Sequence, residues 1–504
     1  MKSYIGIDFG ACNIKAAKIS STGRLQKIKL NKQQDGGNFI PNVILYDKVR
    51  DKIEIRIGKG AKNSLDVKNK VWQIKPKLAQ KNWTKFIKNL GREVDAPEVL
   101  RNIFEWIWQE ITIKFSKDEE LAVTITAPVS FSEVQKNLIK QAALDVGIPV
   151  KAVISEPFAA IFSAEDFDDD EQCTLVFDFG GSTLDLSLCR IEKFDDELNI
   201  TELAAAGLKF GGIDIDNALY ENIFLKKYSD KVKELLSEDA LGKHKNELMN
   251  LIELLKEDIF LNEEEEVSNS VSDSRGVLKE FTLTRDEIIS LLEKIGIKEK
   301  IIALLDELLD DAQIDKNEVT QVKTVGGTSS IDYFREILSD YFGEDIFDKD
   351  DFDADEIYMN VAQGAAKYLH MTDDAESDIT IKNIIPYSIG LVSGKKFNRL
   401  IKRNELSGFI TPFKPLLISE LDKNNWRVAV WQTFSNEFDL QADSDEVIFV
   451  GDVELDKKLY TAKDAILFKM QPSGTGEIFM SFFEQIPDSD APKLIEKKIV
   501  KLGG

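Results

Sequence analysis

Two segments of this chain share one chemical design: a hydrophobic strand, an aspartate near its end, then a glycine-containing turn. They are Ile5-Gly6-Ile7-Asp8-Phe9-Gly10 and Val176-Phe177-Asp178-Phe179-Gly180-Gly181-Ser182-Thr183. Glycine lets backbone N–H groups approach phosphate oxygens, and a buried carboxylate orients water around a magnesium ion. One such turn is more often an ordinary hairpin; two in the same strand context point to phosphate chemistry. A third glycine pair, Gly326-Gly327-Thr328, closes the strand-like run Val322 to Val325 ahead of a helix, where N–H groups would meet a nucleotide's α-phosphate or ribose. Neither GxGxxG nor the Walker spacing occurs, so Rossmann and P-loop readings have no motif.

The elements that must position these turns are legible from composition and period. At about 150 residues per domain, 504 residues predict three or four domains. Lys plus Arg number 65 against 89 Asp plus Glu, and the net charge of -24 repels polyanions, so neither nucleic acid nor membrane is an expected partner. Cys12, Cys173 and Cys189 show no CxxC spacing, and His244 and His370 lie far apart, which argues against a disulfide framework, a zinc ribbon and a His-based triad. The first ten residues run into a strand pattern that carries an Asp, with no signal-like segment, and no long apolar run follows; a cytoplasmic protein is expected.

Up to about residue 370, strand-like runs alternate with helical periods, as in α/β lobes. Helices are predicted after Ser132 (a capping-box start, with Gly147 as the stop), at Glu156-Pro157, after Gly211-Gly212 and after Ser329. Residues 216 to 315 read as a second helical region interrupted by a strand-like stretch at 266 to 284. Beyond Gly364-Ala365-Ala366 and the polar spacer MTDDAESD (371 to 378), short strands and turn signals read as an all-β module.

Taken in order, the Asp–Gly strand, ITAPVSFSEVQKNLIKQAA (125 to 143), VISEPFAAIFSA (153 to 164), VFDFGGSTLDLS (176 to 187), FGGIDIDNAL (210 to 219), VKTVGGTSSI (322 to 331) and DEIYMNVAQGAA (355 to 366) resemble the heat-shock protein 70 family, the DnaK-type chaperones. GKGAKNS (58 to 64) fits the same pattern, and NIIPYSIGLVSG and LIKRNE extend it more loosely into the C-terminal module. The resemblance implies an α/β, actin-like two-lobed ATPase domain over 1–370, with 216–315 a helical subdomain. A linker over 371–383, an all-β sandwich substrate-binding domain over 384–485 and a short tail over 486–504 would follow.

It also implies site residues. Asp8 and Asp178 would hold magnesium through water, and Gly10, Ala11, Cys12, Gly180, Gly181 and Ser182 would line the β- and γ-phosphates of ATP or ADP. Lys75, Glu156, Asp178 and Thr183 are the implied catalytic set, and Thr183 and Asp185 match a family pair. Gly211, Gly212, Glu253, Lys256, Gly326, Gly327, Thr328 and Asp355 would complete the nucleotide site, with Glu253 and Lys256 at the ribose. Pro128 and Lys136 match a relay to the interdomain surface, and Leu391, Trp426 and Val428 fall near the peptide-binding strands.

Several contact positions depart from the family pattern. Ala11-Cys12-Asn13 stands where two threonines are usual, Ser182 replaces a glycine, Lys136 replaces an arginine, and Glu257 and Ser330 stand at two adenine-clamping arginines. Weak nucleotide affinity and slow hydrolysis are therefore expected, with Phe260 either a substitute aromatic face or part of the helical core. Cys12 is a candidate for redox chemistry or for simple packing. Lys15, seven residues after Asp8, resembles the first loop of sugar kinases and bacterial actin-like proteins. The linker Ser377 to Lys382 keeps an acid and two isoleucines but loses apolar side chains, so weak docking is expected, and no helical lid is expected after Glu484.

The expected activity is that of an ATP-dependent chaperone with weak ATPase turnover, binding extended hydrophobic polypeptide or one client protein and assisted by a co-chaperone. The alternative is a non-hydrolysing, nucleotide-gated or nucleotide-free scaffold of the same fold dedicated to one partner.

Overall fold

The computed structural model describes all residues except 1, 21, 31–38, 81, 117, 164–170, 195–196, 238, 240–241, 348–353, 374–377, 417–420, 423–425, 438–439, 445, 457–465, 474–476, 487–490 and 503–504. Each Asp–Gly segment opens a lobe. In the first, Lys2–Phe9 turns back antiparallel into Asn13–Ser20 and pairs in parallel with Glu120–Ala127, which pairs with Val150–Ser155. In the second, Glu171–Phe179 turns back into Leu184–Phe194, which pairs with Glu197–Leu208, while Gln321–Val325 lies parallel on the other side.

The phenylalanine after each aspartate anchors its hairpin. Phe9 packs 5.0 Å from Phe104 on the helix Ala96–Thr112, and Phe179 packs 4.6 Å from Phe334 on the helix Asp332–Phe342. The apolar face of Ala96–Thr112, with Val99, Leu100, Ile103, Phe104, Ile107 and Ile111 at helical spacing, fills the first core. The two lobes meet at the helix Ala354–Asp373, where close backbone approach demands glycine. A Cβ on Gly6 would lie 2.0 Å from the Ala362 carbonyl oxygen, and one on Gly364 would lie 1.8 Å from that of Ala159 in the helix Glu156–Ile161.

The predicted helix after Ser132 is Glu133–Asp145, and both halves of its capping box form between Ser132 and Gln135. The 216 to 315 region contains the helices Lys243–Leu261, Arg285–Lys294 and Ile297–Ala312 and the hairpin Glu266–Ser272 with Leu278–Thr284. Leu255, Ile259, Phe281 and Leu305 share one core with Phe177 and Phe179, so this region is continuous with the second lobe.

Three expectations about the C-terminal half are corrected. The linker docks: Ile379–Lys382 adds to the second lobe's sheet as a parallel strand, with Leu198 opposite Ile379 and Thr201 opposite Lys382, and Ile381 packs against the buried cluster to which Val176 and Ile200 belong. Main-chain pairing substitutes for the missing apolar side chains. The tail is not a tail, because Lys493–Ile499 pairs with Ile478–Glu484 and Lys501–Leu502 pairs with Ile448–Glu454. Finally, Leu391 and Val428 have no exposed surface, since both point between the two sheets at the sandwich core, so they offer nothing to a peptide. Trp426 packs on the edge of that core, with its backbone in the left-handed region at φ 52° just before the strand Arg427–Thr433.

The sandwich also touches the lobes. The Glu133 amide donates to Gln432 at 3.0 Å, Tyr387 donates to the Glu133 carboxylate, and Lys136 lies 5.3 Å from the centre of the Tyr387 ring. Arg403 pairs with Glu307 at 2.6 Å and Asp311 at 2.7 Å. Lysine at 136 thus makes a cation–π contact with the sandwich segment without a guanidinium plane.

Candidate functional site

The cleft between the lobes gathers four buried carboxylates, Asp8, Glu156, Asp178 and Asp185, and two buried ammonium groups, Lys15 and Lys75. Strand register explains two of the contacts. Asp8 faces Lys15 across the first hairpin, and Lys15 Nζ donates to Asp8 Oδ2 at 2.7 Å, while Thr126 donates to the other oxygen at 3.4 Å. Asp178 faces Asp185 across the second. Lys75, on the short helix Ile74–Lys77, is 1% exposed and donates to Glu156, the first residue of a helix capped by Ser155.

Burial controls the electrostatics. It pushes Glu156 up to about 7 against the opposing charge of Lys75, and Asp185 up to about 6 despite hydrogen bonds from Thr183 and the Ser130 and Val129 amides. Burial also drives Asp178 well above the usual carboxylate range, with Glu156, Asp185 and Asp8 adding like charge. Burial alone would lower Lys15, but the Asp8 carboxylate outweighs it and the net shift is upward.

The glycine turns converge at the cleft. A Cβ on Gly181 would lie 2.3 Å from Cys12 Sγ, so the first and second turns touch across the cleft. A Cβ on Gly326, whose φ is +85°, would lie 2.7 Å from Asp178 Oδ1, and Thr328 donates to the Gly180 carbonyl at 2.9 Å. Asn42 ties the first turn by donating its side-chain amide to the Gly10 carbonyl at 2.8 Å and its backbone amide to that of Cys12 at 2.7 Å. Ala11 is buried beside Cys12, and Ser182 and Gly327 close the floor: a Cβ on Gly211 would lie 2.4 Å from the Ser182 amide nitrogen and one on Gly327 would lie 3.1 Å from the Tyr358 ring.

Other site expectations change. The Gly211 and Gly212 amides are committed within the protein, donating to Asp214 Oδ2 at 2.8 Å and the Gly180 carbonyl at 3.1 Å. Glu253 and Lys256 are each paired elsewhere: Lys62 reaches across the cleft to Glu253 at 2.6 Å, and Lys256 binds Asp216 at 2.6 Å and the Gly212 carbonyl at 3.2 Å. Cys12 is unsuited to thiolate chemistry, because burial pushes its thiol up to about 12. Phe260 belongs to the core of the second lobe, where the Arg285 guanidinium lies 5.2 Å from its ring centre. The Asp355 side chain lies outside the described residues.

Lys62, Asp216 and Arg285 are the residues that sequence reading missed. Lys62 sits in GKGAKNS and Asp216 in FGGIDIDN, so the segments were visible, but no spacing announces partners on distant elements. Arg285 opens its helix after the capping residue Thr284 and is ion-paired with Asp332. Between the lobes, a cavity of about 270 Å³ is lined by Ala11, Cys12, Lys62, Trp72, Asp216 and Glu253, among others.

A family model described as Hsp70 protein matches residues 57–433. Relatives include the chaperone protein DnaK of Carsonella ruddii, 25% identical over 80% of this chain and 69% of its own length. That of Halobacterium salinarum is 27% identical over 80% of this chain and 61% of the relative. A chaperone protein HscA homolog of Pseudoalteromonas atlantica is 25% identical over 80% and 64%. The aligned region thus spans about two thirds of the length of these relatives. Together with an actin-like pair of lobes and a β-sandwich, this match over more than half of the sequence makes the chain a member of the Hsp70 family.

Proposed function

We propose that this chain binds an adenine nucleotide between its lobes and couples that state to the binding of extended hydrophobic polypeptide, or of one client protein, by its sandwich domain. It would act as an Hsp70-like chaperone of the cytoplasm, assisted by a co-chaperone. The observation that carries this reading is the convergence of three glycine turns from two lobes onto one buried set of carboxylates and lysines. No helix among the described residues is long and apolar enough to cross a membrane.

The residues divide the work. Backbone N–H groups of the turns at Gly10, Gly180 and Gly326 would receive phosphate oxygens. Lys75 would orient the attacking water, and Glu156, held against it, would accept a proton. Oxygen donors suit magnesium, and among the described residues Asp178 and Asp185 are the two cleft carboxylates that no lysine bonds directly, so Asp178, with Asp8, would hold it through water. When bound, magnesium would neutralise charge on the β- and γ-phosphates. The docked linker and the contacts of Glu133 and Glu202 with the sandwich segment would carry the nucleotide state between domains.

Calorimetric titration with ATP and ADP, paired with single-turnover phosphate release, tests the reading. Binding with slow hydrolysis that is lost in Lys75→Ala is expected; absence of heat at millimolar nucleotide would overturn it. A second reading, the nucleotide-free scaffold, is favoured by Cys12 packed against Gly181 and by the Gly212 amide bonded to the Gly180 carbonyl, which close the cleft floor with the protein's own atoms. Absence of heat supports it.

A further inference from the structure

The two Asp–Gly hairpins differ in the residue that faces their aspartate, and the difference is one of charge: Lys15 in the first, Asp185 in the second. Lys15 is buried, its ammonium is 2.7 Å from Asp8, and it also feels the charges of Asp178 and Glu156. An ammonium therefore already sits among the carboxylates that would otherwise gather a divalent ion. A magnesium ion shared by Asp8 and Asp178 would have to lie beside a like charge in a poorly screened interior. Among the described residues, no group of three or more His, Cys, Asp or Glu side chains could hold a metal ion directly.

We propose that Lys15 is the resident counter-cation of the phosphate cleft, supplying to a bound polyphosphate the positive charge that a divalent ion would bring, so that nucleotide binding by this chain does not depend on magnesium. This rests on the nucleotide reading above. A lysine that merely held Asp8 in place would leave metal dependence unchanged, which separates the two roles.

The test titrates ATP calorimetrically into the full chain with excess magnesium and then with EDTA. The expected affinities agree within about threefold, and a loss of about tenfold or more on magnesium removal would overturn the proposal. Lys15→Gln keeps a hydrogen-bond donor for Asp8 without the charge, and Lys15→Arg keeps the charge. The first is expected to bind ATP about tenfold more weakly in EDTA and to recover in magnesium, whereas the second stays within about threefold of the wild type in both. Equal behaviour of all three proteins would sink the idea. Manganese alone, followed by electron paramagnetic resonance, gives a reading without nucleotide. Lys15→Gln is expected to bind it about tenfold more tightly than the wild type, and equal binding would overturn the proposal. If ATP gives no heat in either buffer, the nucleotide reading has failed, while the manganese comparison still decides whether Lys15 displaces a metal.

Discussion

In the first hairpin the aspartate at the strand end faces a lysine; in the second, the aspartate at the matching position faces another aspartate. Both hairpins have the same turn length, the same anchoring phenylalanine and the same antiparallel return. Yet the first is an internally neutral pair, and the second concentrates negative charge that burial penalises further. One backbone plan has been used twice, and the register position seven residues after the aspartate decides whether the lobe arrives at the cleft with its charge compensated. The turns differ as well: Ala11 carries a Cβ where Gly181 has none, and the missing atom is what lets Cys12 approach.

The largest effect should come from undoing the first pair. Lys15→Ala leaves Asp8 buried without its cation and should cost about 3–5 kcal/mol in urea unfolding, while Lys15→Ala combined with Asp8→Asn should recover much of it. A small loss in the single variant would mean that water reaches Asp8 and that the contrast between the hairpins is superficial.

The second hairpin should respond in the opposite sense. Asp185 is fully buried, and one of its oxygens has no hydrogen-bond partner. Its carboxyl is raised in the folded state to about 6, so its stabilising effect is complete below the unfolded value and is lost as pH rises from about 4 through about 6. Glu156 extends that loss to about 7. Nucleotide-free protein should therefore be less stable at pH 8 than at pH 5 as far as these groups are concerned. Asp185→Asn should gain about 2 kcal/mol at pH 8 and flatten the profile. A variant less stable than the wild type at pH 8 would show that the ionised Asp185 is compensated after all.

The turn comparison predicts the smallest change. Gly181→Ala, which gives the second turn the side chain of the first, should lose about 1–2 kcal/mol through its clash with Cys12 Sγ, and Cys12→Ala should relieve most of that in the double variant. Additive losses would place the strain elsewhere.

Much of this was legible in the sequence because it depends on neighbours in the chain. The Asp–Gly strands, the capping box at Ser132 and the helix start at Glu156-Pro157 are local patterns, and each marks an element that forms. Even Lys15 was visible by its spacing from Asp8. Its burial against that carboxylate was not, since spacing cannot tell a solvated strand end from a desolvated one.

The remainder depends on which surfaces meet. Glu253 and Lys256 lie on one helix, but Lys62 and Asp216 come from elsewhere to pair with them. Leu391 and Val428 alternate correctly for a strand, yet only the packing of two sheets decides that they face the core rather than a groove. The linker's composition argued against docking, and a main-chain ladder supplied by Glu197–Leu208 overrode it.

The sequence by itself therefore determined the elements, the family and the position of the glycine turns, because helix caps, strand alternation and glycine turns are settled within a few residues. Tertiary structure alone decided which charges are compensated, which amides are already spoken for and how the sandwich sits against the lobes. Those outcomes turn on desolvation and on hydrogen bonds between segments hundreds of residues apart, and no short stretch of sequence encodes either.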